Sequence, residues 1–131
     1  MNLNQVTIAC SHLNRSVDFY AKLGLELIVL SEPRYARFFC PEGGATFSLH
    51  YEEGYKTDGN HVVYFECENL DQKVSELISL GLAFESEPTD QTWLWREALL
   101  LDPDGNKIKL YYAGENRIDP PWRINKKSRT L

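Results

Sequence analysis

Apolar and polar residues alternate from Gln5 to Ser11, with Val6, Ile8 and Cys10 on one side and Gln5, Thr7 and Ala9 on the other. That is the period of a half-buried strand. The period then lengthens. Val17, Phe19, Tyr20 and Leu23 recur at helical spacing, Ser11 or Asn14 stands where a cap belongs, and Gly24 sits where helices stop. Three more strands are predicted at Leu25 to Leu30, Tyr35 to Cys40 and Thr46 to Tyr51, separated by Glu32-Pro33 and by Pro41-Glu42-Gly43-Gly44.

After a connector from Tyr51 to Asn60 the same order begins again. A strand at Val62 to Cys67 leads into a helix from Leu70 to Leu80 that carries Val74, Leu77, Ile78 and Leu80, and Gly81 ends it as Gly24 ended the first. Strands follow at Ala83 to Glu85, Thr92 to Trp95, Ala98 to Leu101 and Lys107 to Tyr112. The last two are joined by Asp102-Pro103-Asp104-Gly105-Asn106, whose proline and glycine positions are hairpin chemistry. The chain therefore reads as an α+β protein made of two βαβββ modules, residues 3–52 and 60–113, with a tail at 114–131. The repeat rests on order and spacing, because identity between the halves is faint.

A chain of 131 residues fits one compact domain or two closely packed half-size units. Its 43% hydrophobic and 25% charged residues are those of an ordinary globular protein. The formal charge of −5 argues against a phosphate-backbone partner, so no nucleic acid is expected. Arg117, Arg123, Lys126, Lys127 and Arg129 gather in the tail, where a solvated basic end is the simplest reading. Pro120-Pro121-Trp122 in the same tail is stiff and apolar, and should pack on its own module or on a partner subunit. Cys10, Cys40 and Cys67 have no CxxC spacing and cannot all pair, which suits reduced thiols in the cytoplasm. No apolar run approaches the roughly 18 residues of a membrane span and no signal peptide is apparent, so no membrane partner is expected.

Two stretches make a family resemblance specific. His12-Leu13-Asn14-Arg15-Ser16-Val17-Asp18-Phe19-Tyr20-Ala21-Lys22-Leu23-Gly24-Leu25 resembles the first helix of the vicinal oxygen chelate superfamily, which contains glyoxalases, bleomycin-resistance proteins and extradiol dioxygenases. His12 departs from the usual Asp. Leu101-Asp102-Pro103-Asp104-Gly105-Asn106-Lys107-Ile108-Lys109-Leu110 resembles that superfamily's DPDGN hairpin and last strand. The resemblance implies two βαβββ modules whose sheets cup a small molecule, often in a homodimer. It does not fix the activity, since members include metal-dependent lyases, isomerases and dioxygenases as well as metal-free proteins that sequester antibiotics.

The resemblance further implies that catalytic members hold a divalent ion with His, Gln or Glu from the first and last strands of each module. Strand parity shows which side chains stand there. Gln5 takes the first position and Ser48, flanked by Thr46 and His50, the second. Counting back from Leu70 puts Val62 at the third, with His61 beside it but on the side of Val63, Phe65 and Cys67. With Ile108, Leu110 and Tyr112 as the core set, Lys109 takes the fourth position. Serine is a poor ligand, and a protonated lysine offers no lone pair and repels a cation. Only Gln5 and His61 survive as metal candidates.

Other side chains favour binding. Trp93 and Trp95 lie two apart on one face of the strand predicted at Thr92 to Trp95, where two indoles would make a stacking wall. Thr7, His50, Tyr64 and Tyr111 fall on the same cup side by parity. The expected ligand-binding set is thus Gln5, Thr7, Ser48, His50, Tyr64, Trp93, Trp95, Lys109 and Tyr111, with no catalytic residue assigned. These observations favour a cofactor-free, metal-independent small-molecule binder resembling the bleomycin-resistance branch, cytoplasmic and homodimeric. The alternative is a glyoxalase-like lyase or dioxygenase using Zn, Ni, Mn or Fe on an unusual set drawn from Gln5, His50, His61, Glu52 or Glu66. A third reading is a non-catalytic module that kept the fold and lost its pocket.

Overall fold

The computed structural model describes residues 1–124, so Lys126, Lys127 and Arg129 of the basic tail lie outside the described residues. The two sequence periods resolve into two four-stranded mixed sheets, each carrying one helix, as the βαβββ repeat predicts. Among the described residues no helix is long and apolar enough to cross a membrane.

The first unit comprises residues 1–61 together with 101–106. Its elements are β1 (Gln5–Cys10), α1 (Leu13–Leu23), β2 (Glu26–Ser31), β3 (Tyr35–Phe39) and β4 (Thr46–Tyr51), in sheet order β1-β4-β3-β2. β1 runs parallel to β4, and the other pairs are antiparallel. The register sets Ile8 beside Leu49, Leu49 beside Ala36, and Phe47 beside Phe38, so these residues share one face. α1 covers that face with Leu13, Phe19, Tyr20 and Leu23, and Tyr20 packs its ring 4.6 Å from Phe47 and 4.9 Å from Phe19. The helix stops where expected, because Gly24 takes the left-handed φ of 107° and its N–H reaches the Ala21 carbonyl at 3.0 Å. Its start differs from expectation. His12 stands at the cap position and no side chain caps the helix, because the Ser11 hydroxyl donates to the Asp104 carboxylate instead.

The turn at 102–106 is bound into this unit. Asp102 Oδ1 accepts the N–H groups of Asp104 and Asn106, each at 2.9 Å, while Oδ2 accepts Tyr20 Oη at 2.7 Å and Asn106 Nδ2 at 2.9 Å. Asn106 in turn accepts from Tyr55 Oη at 2.6 Å and donates to the Ala9 carbonyl at 3.3 Å. A buried carboxylate is tolerable only when its lone pairs are occupied, and the four donors around Asp102 occupy them. The helix motif and the turn motif that carry the resemblance thus meet in one hydrogen-bonded joint.

The second unit contains β5 (Val62–Glu66), α2 (Leu70–Ser79), β6 (Phe84–Asp90), β7 (Arg96–Leu101) up to Leu100 and β8 (Lys107–Tyr112), in sheet order β5-β8-β7-β6. Leu70, Val74 and Leu77 of α2 are buried, as are Ala98, Leu100, Ile108 and Leu110 on the strands. Ile78 and Leu80, read as part of the apolar stripe, stay exposed, and so does Tyr112 at the end of its strand. The strand expected at Ala83 to Glu85 continues to Asp90 through Pro88, which β6 tolerates as the edge strand of its sheet. The strand expected at Thr92 to Trp95 does not form. Those residues make the turn between β6 and β7, closed by the Gln91 N–H on the Trp95 carbonyl at 2.7 Å, with Leu94 at a φ of 66°.

Candidate functional site

On the first sheet the register aligns Thr46 with Gln5, Ser48 with Thr7 and with Arg37, and His50 with Ala9 and with Tyr35. These residues share the face opposite α1, as parity predicts for Gln5, Thr7, Ser48 and His50. Gln5 Nε2 donates to Ser48 Oγ at 2.9 Å and to Thr7 Oγ1 at 3.0 Å, while Thr46 donates to Gln5 Oε1. Tyr35 Oη lies 2.7 Å from Ser48 Oγ and accepts Arg37 Nε at 2.8 Å. Burial pushes the Tyr35 phenol up, but the hydrogen bonds from Ser48 and Arg37 and the Arg37 charge outweigh it and leave the phenol below its ordinary value. His50 is exposed and joins none of these contacts. Tyr35 and Arg37 are additions to the expected set. Their signal was the alternation with Ala36 and Phe38, which places two polar side chains on the face of β3 opposite α1.

On the second sheet Tyr64 and Lys109 are register partners, and Tyr111 pairs with Glu66. Lys109 Nζ lies 3.0 Å from Glu97 Oε1 and 5.5 Å from the centre of the Tyr64 ring. Glu97 is 5% exposed and accepts Trp93 Nε1 at 2.9 Å on its other oxygen. Burial pushes the Lys109 ammonium down, but the hydrogen bond and charge of Glu97 more than offset it, and the group ends above its ordinary value. Burial also raises the Tyr111 phenol, and the Glu66 charge adds to the rise.

The two indoles do not form the wall expected of them, because both leave from a turn and not from one strand face. Trp93 is tied to Glu97, whereas Trp95 stacks on Tyr111 with ring centres 4.7 Å apart and planes 26° from parallel. Tyr64 stands edge-on to both members of that pair, at 5.9 Å from Trp95 and 5.4 Å from Tyr111. The aromatic cluster is therefore Trp95, Tyr111 and Tyr64, in which Tyr111 is buried and Tyr64 exposed. The tail supports it: a 3-10 helix at Gly114–Arg117 brings the Asn116 carbonyl to Trp95 Nε1 at 3.2 Å. Glu66 accepts the N–H groups of Ala113 and Gly114 at 2.9 and 3.0 Å, and Arg117 approaches it at 3.8 Å. Pro120-Pro121-Trp122 does not bury its indole, since Trp122 remains 57% exposed.

The side chains at the positions assigned to a divalent ion do not fit one. Gln5 and Ser48 are committed to each other, Val62 has no donor atom, and Lys109 presents an ammonium. His61 precedes β5, with its side chain 85% exposed and its Nδ1 3.5 Å from Asp58. Glu66 is occupied as described. Among the described residues no three His, Cys, Asp or Glu side chains gather to hold a metal.

Comparison with known proteins supports this geometry at the level of fold. A glyoxalase/bleomycin resistance protein/dioxygenase from Nocardioides superposes with a TM-score of 0.76 at 23% identity, covering 95% of this chain and 90% of that one. The lactoylglutathione lyase from Agrobacterium tumefaciens gives 0.70 at 16% identity, covering 85% and 92%. TioX from Micromonospora sp. ML1 gives 0.69 at 17% identity, covering 86% and 99%. In sequence the chain is 26% identical over 133 residues to the trivalent organoarsenical cleaving enzyme of Bacillus sp. (strain MD1), covering 92% of this chain and 81% of that protein. With residues 2–110 matching the sequence model of the Glyoxalase/Bleomycin resistance protein/Dioxygenase superfamily, the chain belongs to that superfamily.

Proposed function

We propose that this chain is a metal-independent binder of a small planar molecule, held on the face of the second sheet opposite α2. The observation that carries the reading is the Lys109 ammonium, 3.0 Å from Glu97, at the last-strand position where the superfamily's catalytic members carry a carboxylate ligand. A fixed cation there opposes a divalent ion by Coulomb repulsion and already neutralises the nearby buried carboxylate. Beside it, half-buried Trp95 and exposed Tyr64 offer an apolar surface with polar tips, backed by the buried Tyr111 ring on which Trp95 stacks, the usual make-up of a small-molecule site. The net charge of −5 favours a cationic aromatic ligand through its long-range field. We further place the protein in the cytoplasm, which suits three cysteines with no CxxC spacing, and expect a homodimer.

Two measurements test this. Elemental analysis of protein purified without added metal should find no stoichiometric ion. Ni, Zn, Mn or Fe at one per chain that resists dialysis would overturn the proposal. Tryptophan fluorescence titrated with bleomycin and other cationic aromatics should show saturable quenching that Trp95→Ala weakens by about tenfold.

A second reading, a lyase or dioxygenase with a non-standard metal site, draws its support from the organoarsenical-cleaving relative. Trivalent arsenic is a soft centre that prefers exposed thiolates. Here burial and the charges of Asp104 and Asp102 push the Cys10 thiol up to about 11, and burial raises Cys40 as well. Cys10 and Cys40 therefore do not favour that substrate.

A further inference from the structure

On the first sheet the protons of a hydroxyl pair do not balance. Gln5 Nε2 donates to Ser48 Oγ at 2.9 Å, Ser48 Oγ lies 2.7 Å from Tyr35 Oη, and Arg37 Nε donates to Tyr35 Oη at 2.8 Å. The Val6 carbonyl 3.3 Å from Nε2, which can only accept, turns that end of the Gln5 amide toward Ser48; the Thr46 hydroxyl, which also reaches the Asn4 carbonyl, suits either end. Each hydroxyl of the pair is therefore approached from outside by a donor. Two hydroxyl protons remain and only one can be used between Ser48 and Tyr35. Whichever hydroxyl gives its proton, the other proton has no acceptor among the described residues.

Ser48 is 0% exposed whereas Tyr35 is half-buried, so the less costly arrangement has Ser48 donating and the phenolic proton free. The Arg37 guanidinium beside it is likewise unfinished. Its contacts are the Tyr35 hydroxyl and, at 5.4 Å, the Tyr35 ring, and no carboxylate of the described residues pairs with it. Its η nitrogens therefore keep their donors for an acceptor from outside.

We propose that Tyr35, Arg37 and Ser48 form a seat for a carboxylate group on a small organic ligand. One carboxylate oxygen accepts the spare phenolic proton and the other takes the η N–H groups of Arg37, a charge-assisted arrangement that satisfies both loose ends. Ser48 acts behind them by holding the phenol oxygen in place. The lowered phenol of Tyr35 agrees with a donor-rich surrounding made for negative charge. This inference concerns the first sheet and stands whether or not the second sheet binds aromatic cations.

The test is a titration of 15N-labelled protein with benzoate in a buffer free of carboxylate and phosphate, at constant ionic strength. Saturable shifts of the Tyr35, Arg37 and Ser48 amides are expected, with none from benzyl alcohol, which has the ring without the charge. Arg37→Met should weaken benzoate about tenfold or more and Tyr35→Phe by a smaller factor, with amide dispersion preserved. Should Arg37→Met fail to fold, Arg37→Lys should still weaken benzoate, because it keeps the charge and loses the fork. Non-saturating shifts, equal shifts from benzyl alcohol, or undiminished affinity in a folded Arg37 variant would overturn the proposal.

Discussion

Replacing Tyr20 by Phe removes one oxygen atom from the joint between α1 and the turn at 102–106, and its effect can be worked out in advance. The ring stays, with its packing against Phe47 at 4.6 Å and Phe19 at 4.9 Å, so the apolar term is unchanged. The 2.7 Å hydrogen bond to Asp102 Oδ2 is lost, in a site where the carboxylate is only 4% exposed. A hydrogen bond to a charged group contributes about 1.5–3 kcal/mol, and three donors remain on Asp102, so a loss of about 2 kcal/mol is expected. For a chain of this size that is a fall in Tm of roughly 6–10 °C. Thermal unfolding by circular dichroism measures it. A cycle with Asp102→Ala should give a coupling of about 1–2 kcal/mol, because both changes remove the same interaction. A Tyr20→Phe protein melting within about 1 °C of the parent, or a strictly additive cycle, would refute the claim that these two motifs stabilise one another.

Alkali should destabilise the fold through groups held protonated inside it. Cys10 binds its proton more tightly folded, at about 11, than unfolded, at 9.0, so stability is intact below pH 9 and on the order of 2–3 kcal/mol is lost as pH rises to 11; Cys10→Ala should flatten that part of a urea-denaturation series. Tyrosine absorbance at 295 nm should show Tyr35 ionising below the ordinary tyrosine range and Tyr111 above it, and Tyr35→Phe should remove the earliest step; an unchanged titration in that variant would contradict the donor set around Tyr35. Lys109→Met leaves the Glu97 carboxylate buried with Trp93 alone, at a cost of about 1–3 kcal/mol, whereas Lys109→Met with Glu97→Gln should recover most of it in the same denaturation assay.

Much of this was legible in the sequence because side-chain period is a local property. Alternation placed Gln5, Thr7, Ser48, Lys109 and Tyr111 on their faces, and the glycines at 24 and 81 marked both helix ends. What was illegible depends on distance along the chain or on turn geometry. Asp102 reads as a turn residue, yet its partner Tyr20 is 82 positions away. Trp93 and Trp95 have strand spacing, but the positive φ of Leu94 between them breaks the alternation that spacing assumes. Parity put Tyr35 and Arg37 beside Ser48 without saying that their hydrogen bonds would close on each other.

The repeat allows one further step. Ser48 pairs with Thr7 across the parallel strands of the first sheet as Lys109 pairs with Tyr64 in the second, so the two occupy equivalent positions. In the second sheet the charge at that position is answered internally, Lys109 by Glu97. In the first, the neutral Ser48 stands beside Arg37, and no carboxylate of the described residues answers the guanidinium. One module has thus matched its charge beside an aromatic cluster, while the other has kept an open charge. If an added carboxylate completes the first sheet, Arg37→Met should weaken its binding about tenfold or more without altering quenching of Trp95, and Lys109→Met should leave benzoate shifts at Tyr35 intact. Loss of both signals in either variant would mean that the two faces answer to a single ligand, and that the charge difference between modules does not divide their roles.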